Sequence, residues 1–247
     1  MSTTLTIAKR EFRSYFDSPL AYVVVCLSLL LLGFIVFFGV PRYLPPFWQA
    51  DQASVRSVVE ALPWGIGLLV VPVVTMRLLA EEKRSGTLEM LITLPVKDSS
   101  VVFGKYLGAC ALVASLLVTT LLYPILMFQV WHLGALDWGP VFTAYLGLAL
   151  FTAATVGIGL LVSSLTESQV IAFFVTFVTM FALLSVDFFG EHVAGPVGDV
   201  LHELSLLGHL SSFQRGLLDT GDVLYFVSIA VITLMLSFRS LESRKWA

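Results

Sequence analysis

Apolar runs long enough to cross a lipid bilayer recur along this chain, and they constrain its fold more than any other feature. A membrane-spanning helix needs about 20 mostly apolar residues. Six segments meet that length, at about 20–40, 61–80, 105–131, 139–164, 169–189 and 222–239. The first and fourth are the clearest, because no charge falls between Asp17 and Arg42 or between Asp137 and Glu167. The charge-free cores of the second and sixth run only from Ala61 to Met76 and from Val223 to Phe238. They span if Arg77 and Arg239 snorkel toward headgroups and Glu60 and Asp222 sit at the opposite surface. Pro63, Pro72 and Pro124 read as kinks, which packed membrane helices tolerate. Composition removes the soluble alternative: only 13% of 247 residues are charged, where a soluble domain carries about a quarter. The mean hydropathy of +0.92 agrees. The expected fold is an all-α membrane protein with six transmembrane helices.

Orientation follows from the lysines and arginines, which are enriched in cytoplasmic loops. Six spans put both termini on one side, with Lys9, Arg10, Arg13, Arg77, Lys83, Arg84, Lys97, Lys105, Arg239, Arg244 and Lys245. Those are 11 of the 14 basic residues; Arg42, Arg56 and Arg215 fall on the other side. The expectation is that both termini are cytoplasmic. All four histidines (His132, His192, His202 and His209) then lie outside. A net charge of -3 argues against a nucleic-acid partner. Cys26 and Cys110 lie in apolar runs and read as small hydrophobes rather than a disulfide.

Ahead of the first span, over about 4–17, Leu5, Ala8, Phe12, Tyr15 and Phe16 recur at helical spacing while Lys9, Arg10 and Arg13 face away. That pattern predicts an amphipathic helix in the membrane interface. The apolar run behind it is too long for a secretory signal and ends in FFGVPRY, without a cleavage site. Of the inter-span segments, 41–60 is external, with Tyr43 and Trp48 as interface anchors. The external segment 190–221 carries two apolar stripes: Val197, Val200, Leu201, Leu204 and Leu207, then Leu210, Phe213, Leu217 and Leu218. They predict two short amphipathic or re-entrant helices.

The cytoplasmic loop at 80–104 holds the densest charge. Glu81, Glu82, Lys83 and Arg84 must lie in water, Ser85-Gly86 breaks the helix, and Thr87 is an N-cap for a second short helix. Leu88, Leu91 and Ile92 line one face of that helix, and Pro95 ends it. A few apolar anchors rimmed by charge is how docking patches are built. A loop helix resting on lipid fits these residues equally well.

Reactive constellations are missing from the sequence. It has no G-x-x-x-x-G-K-[ST]; the nearest string, SSVVFGKY, lacks the leading glycine and the hydroxyl after lysine. No H-E-x-x-H or paired cysteine-histidine cluster marks a metal site. Ser28, Ser115 and Ser185 lie in spans, but no histidine base accompanies them, which disfavours an intramembrane enzyme. Asp187, near the outer end of the fifth span, is the one ionisable candidate for ion coupling and reads better as an interfacial carboxylate. Small residues recur as Ala149, Ala153 and Gly157 and as Gly104-x-x-x-Gly108. They serve close packing, within one chain or between copies.

Four stretches carry a resemblance. IAKREFRSYFDSPLAYVV, EEKRSGTLEMLITLPV with GKYLGA, SLTESQVIAFF, and LSLLGHLSSFQRGLLDTGDVLYF are similar to the type-2 ABC transporter permeases, above all the gliding-motility-associated branch. The resemblance implies a single permease domain over 1–247, a transmembrane subunit in the bacterial cytoplasmic membrane and not itself an enzyme. It would couple ATP hydrolysis in a separate cytoplasmic ATPase to export or to force transmission. It implies a coupling helix in the 80–104 loop, with Glu81, Glu82, Gly86, Thr87, Leu88 and Glu89 forming or bracing the ATPase contact. Arg10, Glu11 and Phe12 on the N-terminal helix would add a second contact. The external helices at about 196–218 would be gate helices, with Val200, Leu204, Leu207 and Phe213 as gate candidates. No cofactor is expected in this chain; ATP and Mg belong to the partner. A second permease copy, as a homodimer, and an auxiliary membrane or periplasmic subunit complete the implied assembly. The rival reading is a self-contained pore or facilitator with no ATPase.

Overall fold

A computed structural model describes residues 3–39, 56–86, 98–129, 138–192 and 195–243. The anchors expected at Tyr43 and Trp48, and loop residues 87–97 with Thr87, Leu88 and Glu89, lie outside the described residues. The described residues are helical nearly throughout, with no strand among them. Among the described residues, six helical stretches are long and apolar enough to cross a membrane: Ala21–Phe38, Val58–Arg84, Ser99–Leu126, Trp138–Leu165, Gln169–Gly190 and Thr220–Glu242. The protein is an all-α, multi-pass membrane protein. Six crossings put both termini on one face and the 190–221 segment on the other.

The chain begins with α1 (Thr3–Asp17), which turns at Ser18 into α2 (Pro19–Phe38), the first span. The second span is composite. Helix α3 (Arg56–Gly65) passes into a π-helical turn (Ile66–Val70), then α4 (Val71–Thr75), an unwound stretch at 76–79, and α5 (Ala80–Arg84). Pro63 lies inside α3 and Pro72 in the first turn of α4. A proline removes an N–H donor and crowds the preceding turn. The kinks expected here take the form of this changed hydrogen-bond pitch. The third span comprises α6 (Asp98–Thr120) and α7 (Leu122–Gln129), parted at Leu121, three residues before Pro124. Helices α8 (Trp138–Leu165) and α9 (Gln169–His192) are the fourth and fifth spans. Two short helices, α10 (Pro196–Leu204) and α11 (Leu206–Gln214), precede α12 (Thr220–Ser243), the last span.

The second and fourth spans form the centre, each 67% buried within the chain, against 22% for the fifth. Glycines explain why α8 can hold that position. At Gly147 an added Cβ would lie 2.7 Å from the Phe213 ring base, and at Gly157 and Gly159 it would collide with Thr233 and Thr75. Three neighbours therefore close on α8 to backbone distance, which is how membrane helices gain dispersion energy without a hydrophobic drive. Hydroxyls tie the spans laterally: Tyr106 donates to the Ala153 carbonyl at 2.9 Å, and Tyr123 to the Leu29 carbonyl at 2.8 Å. Ala149, first in the small-residue stripe, faces outward instead. Gly157, at the other end of the stripe, packs against Thr233 and Ala230 of the last span.

Candidate functional site

On the face that carries the termini, α1 lies along α6. The contact is set by Gly104 and Gly108: a Cβ at Gly104 would sit 2.7 Å from Ile7 Cγ2, and one at Gly108 2.7 Å from Glu11 Cβ. The Gly-x-x-x-Gly pair thus seats the chain's own N-terminal helix. That choice of support rotates the buried face of α1 from the stripe expected from its sequence. Tyr15 is buried, and Ala8, Phe12 and Phe16 are half-buried, but Leu5 is exposed, while Ile7 and Glu11 turn inward. Lys9, Arg10 and Arg13 face out as expected. A glycine groove selects whichever face approaches most closely, and an apolar stripe read against lipid does not contain that information.

The groove also places Glu11 beside Lys105. The Lys105 ammonium, 4% exposed, pairs with Glu11 Oε1 at 2.9 Å and with Glu82 Oε1 at 2.8 Å. A buried lysine is sustained only by such partners, because the unpaired charge would cost several kcal/mol. One side chain therefore joins three elements: the N-terminal helix, the charged turn after the second span, and the start of the third span.

The charged turn is itself held by the fourth span. Where the second span unwinds, the Leu79 and Ala80 N–H groups both donate to Ser163 Oγ at 3.1 Å. Those donors open α5 and would otherwise be orphans at a helix start. The Lys83 ammonium donates to the Ser164 carbonyl, and Ser240 of the last span donates to the same carbonyl at 3.1 Å. Within α5, Glu81 and Glu82 occupy the first turn and Lys83 and Arg84 the last, the arrangement a helix dipole favours. Gly86, at φ +68°, takes the left-handed conformation that lets the chain leave the helix.

A cleft of about 300 Å³ opens between these elements, lined among others by Ser14, Tyr15, Arg77, Glu81, Glu82 and Lys105. Tyr15 donates to the Val74 carbonyl at 3.2 Å. Burial, with Glu11 adding, pushes the Tyr15 hydroxyl well above the usual tyrosine range, so it stays a neutral donor. Arg77 Nε is buried without a hydrogen-bond partner. Of the described residues expected at an ATPase contact, Arg10, Glu81 and Gly86 are exposed, Phe12 is half-buried, and Glu11 and Glu82 face Lys105. The structure brings α1 and the charged turn together on one face. Lys105, Ser163 and Tyr15 escaped sequence reasoning as site residues. A lysine in the first turns of an apolar span was the one signal that pointed to Lys105.

The opposite face holds a second polar cluster. Ser205 caps α11, accepting from the Gly208 N–H at 2.9 Å and donating to Asp187 Oδ1 at 3.0 Å. Asp187 thus has a specific partner. His209 Nδ1 lies 2.6 Å from Asp222 Oδ1, and Nε2 lies 3.1 Å from the Glu203 carbonyl oxygen. The gate candidates separate. Phe213 is fully buried against Gly147 and Phe226, Leu207 is half-buried, and Val200 and Leu204 are 58% and 52% exposed. Phe213 is therefore a core residue of the single chain, fixed by the space at Gly147.

Among the described residues, no group of three or more histidines, cysteines, aspartates or glutamates is placed to hold a metal ion. What the geometry supplies is mechanical. The charged turn pairs with Lys105 of the third span, which also pairs with Glu11 of α1, and it is hydrogen-bonded to the fourth span. A family model described as ABC-2 family transporter protein matches residues 5–245. No curated protein matches the chain. The chain belongs to the ABC-2 transporter family, and is a transmembrane permease subunit of an ATP-binding cassette transporter.

Proposed function

We propose that this ABC-2 family chain couples ATP hydrolysis in a separate cytoplasmic ATPase to export, or to force transmitted across the membrane, as a homodimer most similar to the gliding-motility branch. The face carrying α1 and α5 is the cytoplasmic face and the docking surface for the ATPase. Arg10, Glu81 and Gly86 contact the partner together with Thr87, Leu88 and Glu89 of the following loop. Glu11 and Glu82 brace that contact from inside. The Lys105 ion triad carries this reading. A push on the charged turn moves α1 and the third span through Lys105, and the fourth span through Ser163 and Ser164.

Two permeases and two ATPases form the complex, with an auxiliary subunit as a further member, in the bacterial cytoplasmic membrane. The exposed rows on α9, including Val170, Phe174, Val178 and Phe181, face lipid or the second copy. ATP and Mg act in the ATPase. The chain does no chemistry of its own.

The test is co-expression with a candidate ATP-binding cassette ATPase from the same organism, followed by purification and reconstitution in nanodiscs. Glu81→Arg and Leu88→Asp are expected to weaken co-purification and membrane-coupled ATP turnover about tenfold or more, the loss typical of a binding hot spot. Val200→Asp, on the opposite face, is expected to retain the ATPase. If both loop variants keep the ATPase at wild-type stoichiometry and turnover, this face is not the docking surface.

A further inference from the structure

We propose that His209 is a proton-operated clamp that fastens the helix pair α10–α11 to the last span on the face opposite the termini. Both ring nitrogens face groups that only accept. Nδ1 is 2.6 Å from the Asp222 carboxylate and Nε2 is 3.1 Å from the Glu203 carbonyl. A neutral imidazole has one donor and one acceptor, whereas an imidazolium has two donors. Only the protonated ring makes both hydrogen bonds at once. Deprotonation turns a lone pair toward either the carboxylate or the carbonyl, and one of the two contacts is lost.

The stakes are set by burial. Asp222 is 8% exposed and its Oδ2 has no hydrogen-bond partner. Its charge is compensated chiefly through His209, and removing that partner leaves a buried carboxylate alone. Tyr225 stacks on the His209 ring with centroids 3.9 Å apart, and its hydroxyl donates to the Leu204 carbonyl at 2.8 Å. The end of α10 is therefore tied to the last span twice, once directly by Tyr225 and once through His209. The proton controls the second tie.

Among the described side chains, the other charged groups around His209 do not supply a competing donor. From α10 come Asp199 and Glu203, both with exposed side chains, and from α9 Asp187, which is engaged by Ser205. Arg215, at the end of α11, donates to Ser211 at 3.3 Å, and Asp219 accepts from the Gly221 N–H. On the α3 side the described charged side chain is Glu60, half-buried. Helix α8, which meets α11 at Gly147 and Thr143 among other residues, carries no charged side chain. The clamp is fastened when His209 carries its proton and slackened when it does not. Because histidine changes charge between about pH 5 and 8, the device answers to the pH of the compartment that this face meets.

The test uses the full-length chain in nanodiscs with ¹⁵N-labelled histidine, the His209 signals assigned by their loss in His209→Gln. At pH 6 both ring nitrogens are expected to be protonated, and by pH 8.5 one proton is expected to be lost. Amide hydrogen exchange across 206–214, corrected for its intrinsic pH dependence, is expected to speed up about tenfold over that range, the scale of one charge-assisted hydrogen bond. Asp222→Asn, checked for a monodisperse fold, is expected to abolish that acceleration. A neutral His209 at pH 6 overturns the proposal. So does pH-independent exchange in α11, or an Asp222→Asn variant that keeps the wild-type pH response.

Discussion

Replacing Lys105 with methionine isolates the triad that joins α1 to the charged turn. The ammonium lies 2.9 and 2.8 Å from two carboxylates and is 4% exposed. At an effective dielectric constant of about 20, each such contact is worth roughly 6 kcal/mol of attraction before desolvation. Desolvation offsets most of this, and breaking a buried pair by removing one partner costs about 3–5 kcal/mol. Glu11 and Glu82 keep 15% side-chain exposure, so water relieves part of their strain and the lower figure applies. A loss of about 3 kcal/mol in a chain of this size lowers Tm by about 6–12 °C. Intrinsic tryptophan fluorescence on heating in detergent measures it. Adding Glu11→Gln and Glu82→Gln to Lys105→Met removes the stranded charges and is expected to restore at least half of the lost Tm. A Lys105→Met variant that melts with wild type, or a triple variant that melts no higher than the single one, refutes the reasoning.

Three further expectations follow from the same face. Gly108→Leu drives a side chain into the Glu11 Cβ, where even a Cβ would stand at 2.7 Å. It is expected to lift α1 from α6 and expose position 7 to thiol labelling in an Ile7→Cys background. Ser163→Ala leaves the Leu79 and Ala80 N–H groups without their acceptor. Hydrogen exchange at those two amides is expected to rise about tenfold or more, since an unmet buried donor costs about 1–3 kcal/mol. Tyr15 is held above its unfolded value, near 10, by burial and by Glu11. Its contribution is thus complete below about pH 10 and lost as pH rises through the folded value, and Tyr15→Phe is expected to flatten the fall in Tm between pH 9 and 11.

The membrane-spanning helices were legible because each is a local run of apolar residues, and charge placement marked their ends. The connections that make a site were not, since they join residues far apart in the chain. Lys105 meets Glu11 across 94 positions and Ser163 meets Leu79 across 84; neither spacing leaves a pattern in sequence. Gly104 and Gly108 announced close packing but not its partner, which is the neighbouring α1. Pro63 and Pro72 announced a kinked second span, while the unwinding at 76–79 depends on Ser163 to accept the freed donors. On the other face the apolar stripes were legible as helices. The full burial of Leu210 and Phe213, against the exposure of Val200 and Leu204, follows from the space that Gly147 leaves on α8.

The face built from α1 and α5 is proposed to receive the ATPase. Photo-crosslinking residues placed singly at Arg10, Glu81 and Val200, in the intact complex in native membranes, test it directly. Adducts are expected from positions 10 and 81 that mass spectrometry identifies as a P-loop-bearing ATP-binding cassette subunit, and none from position 200. Adducts to that ATPase from position 200, or their absence at 10 and 81 in a complex that still hydrolyses ATP, would contradict it.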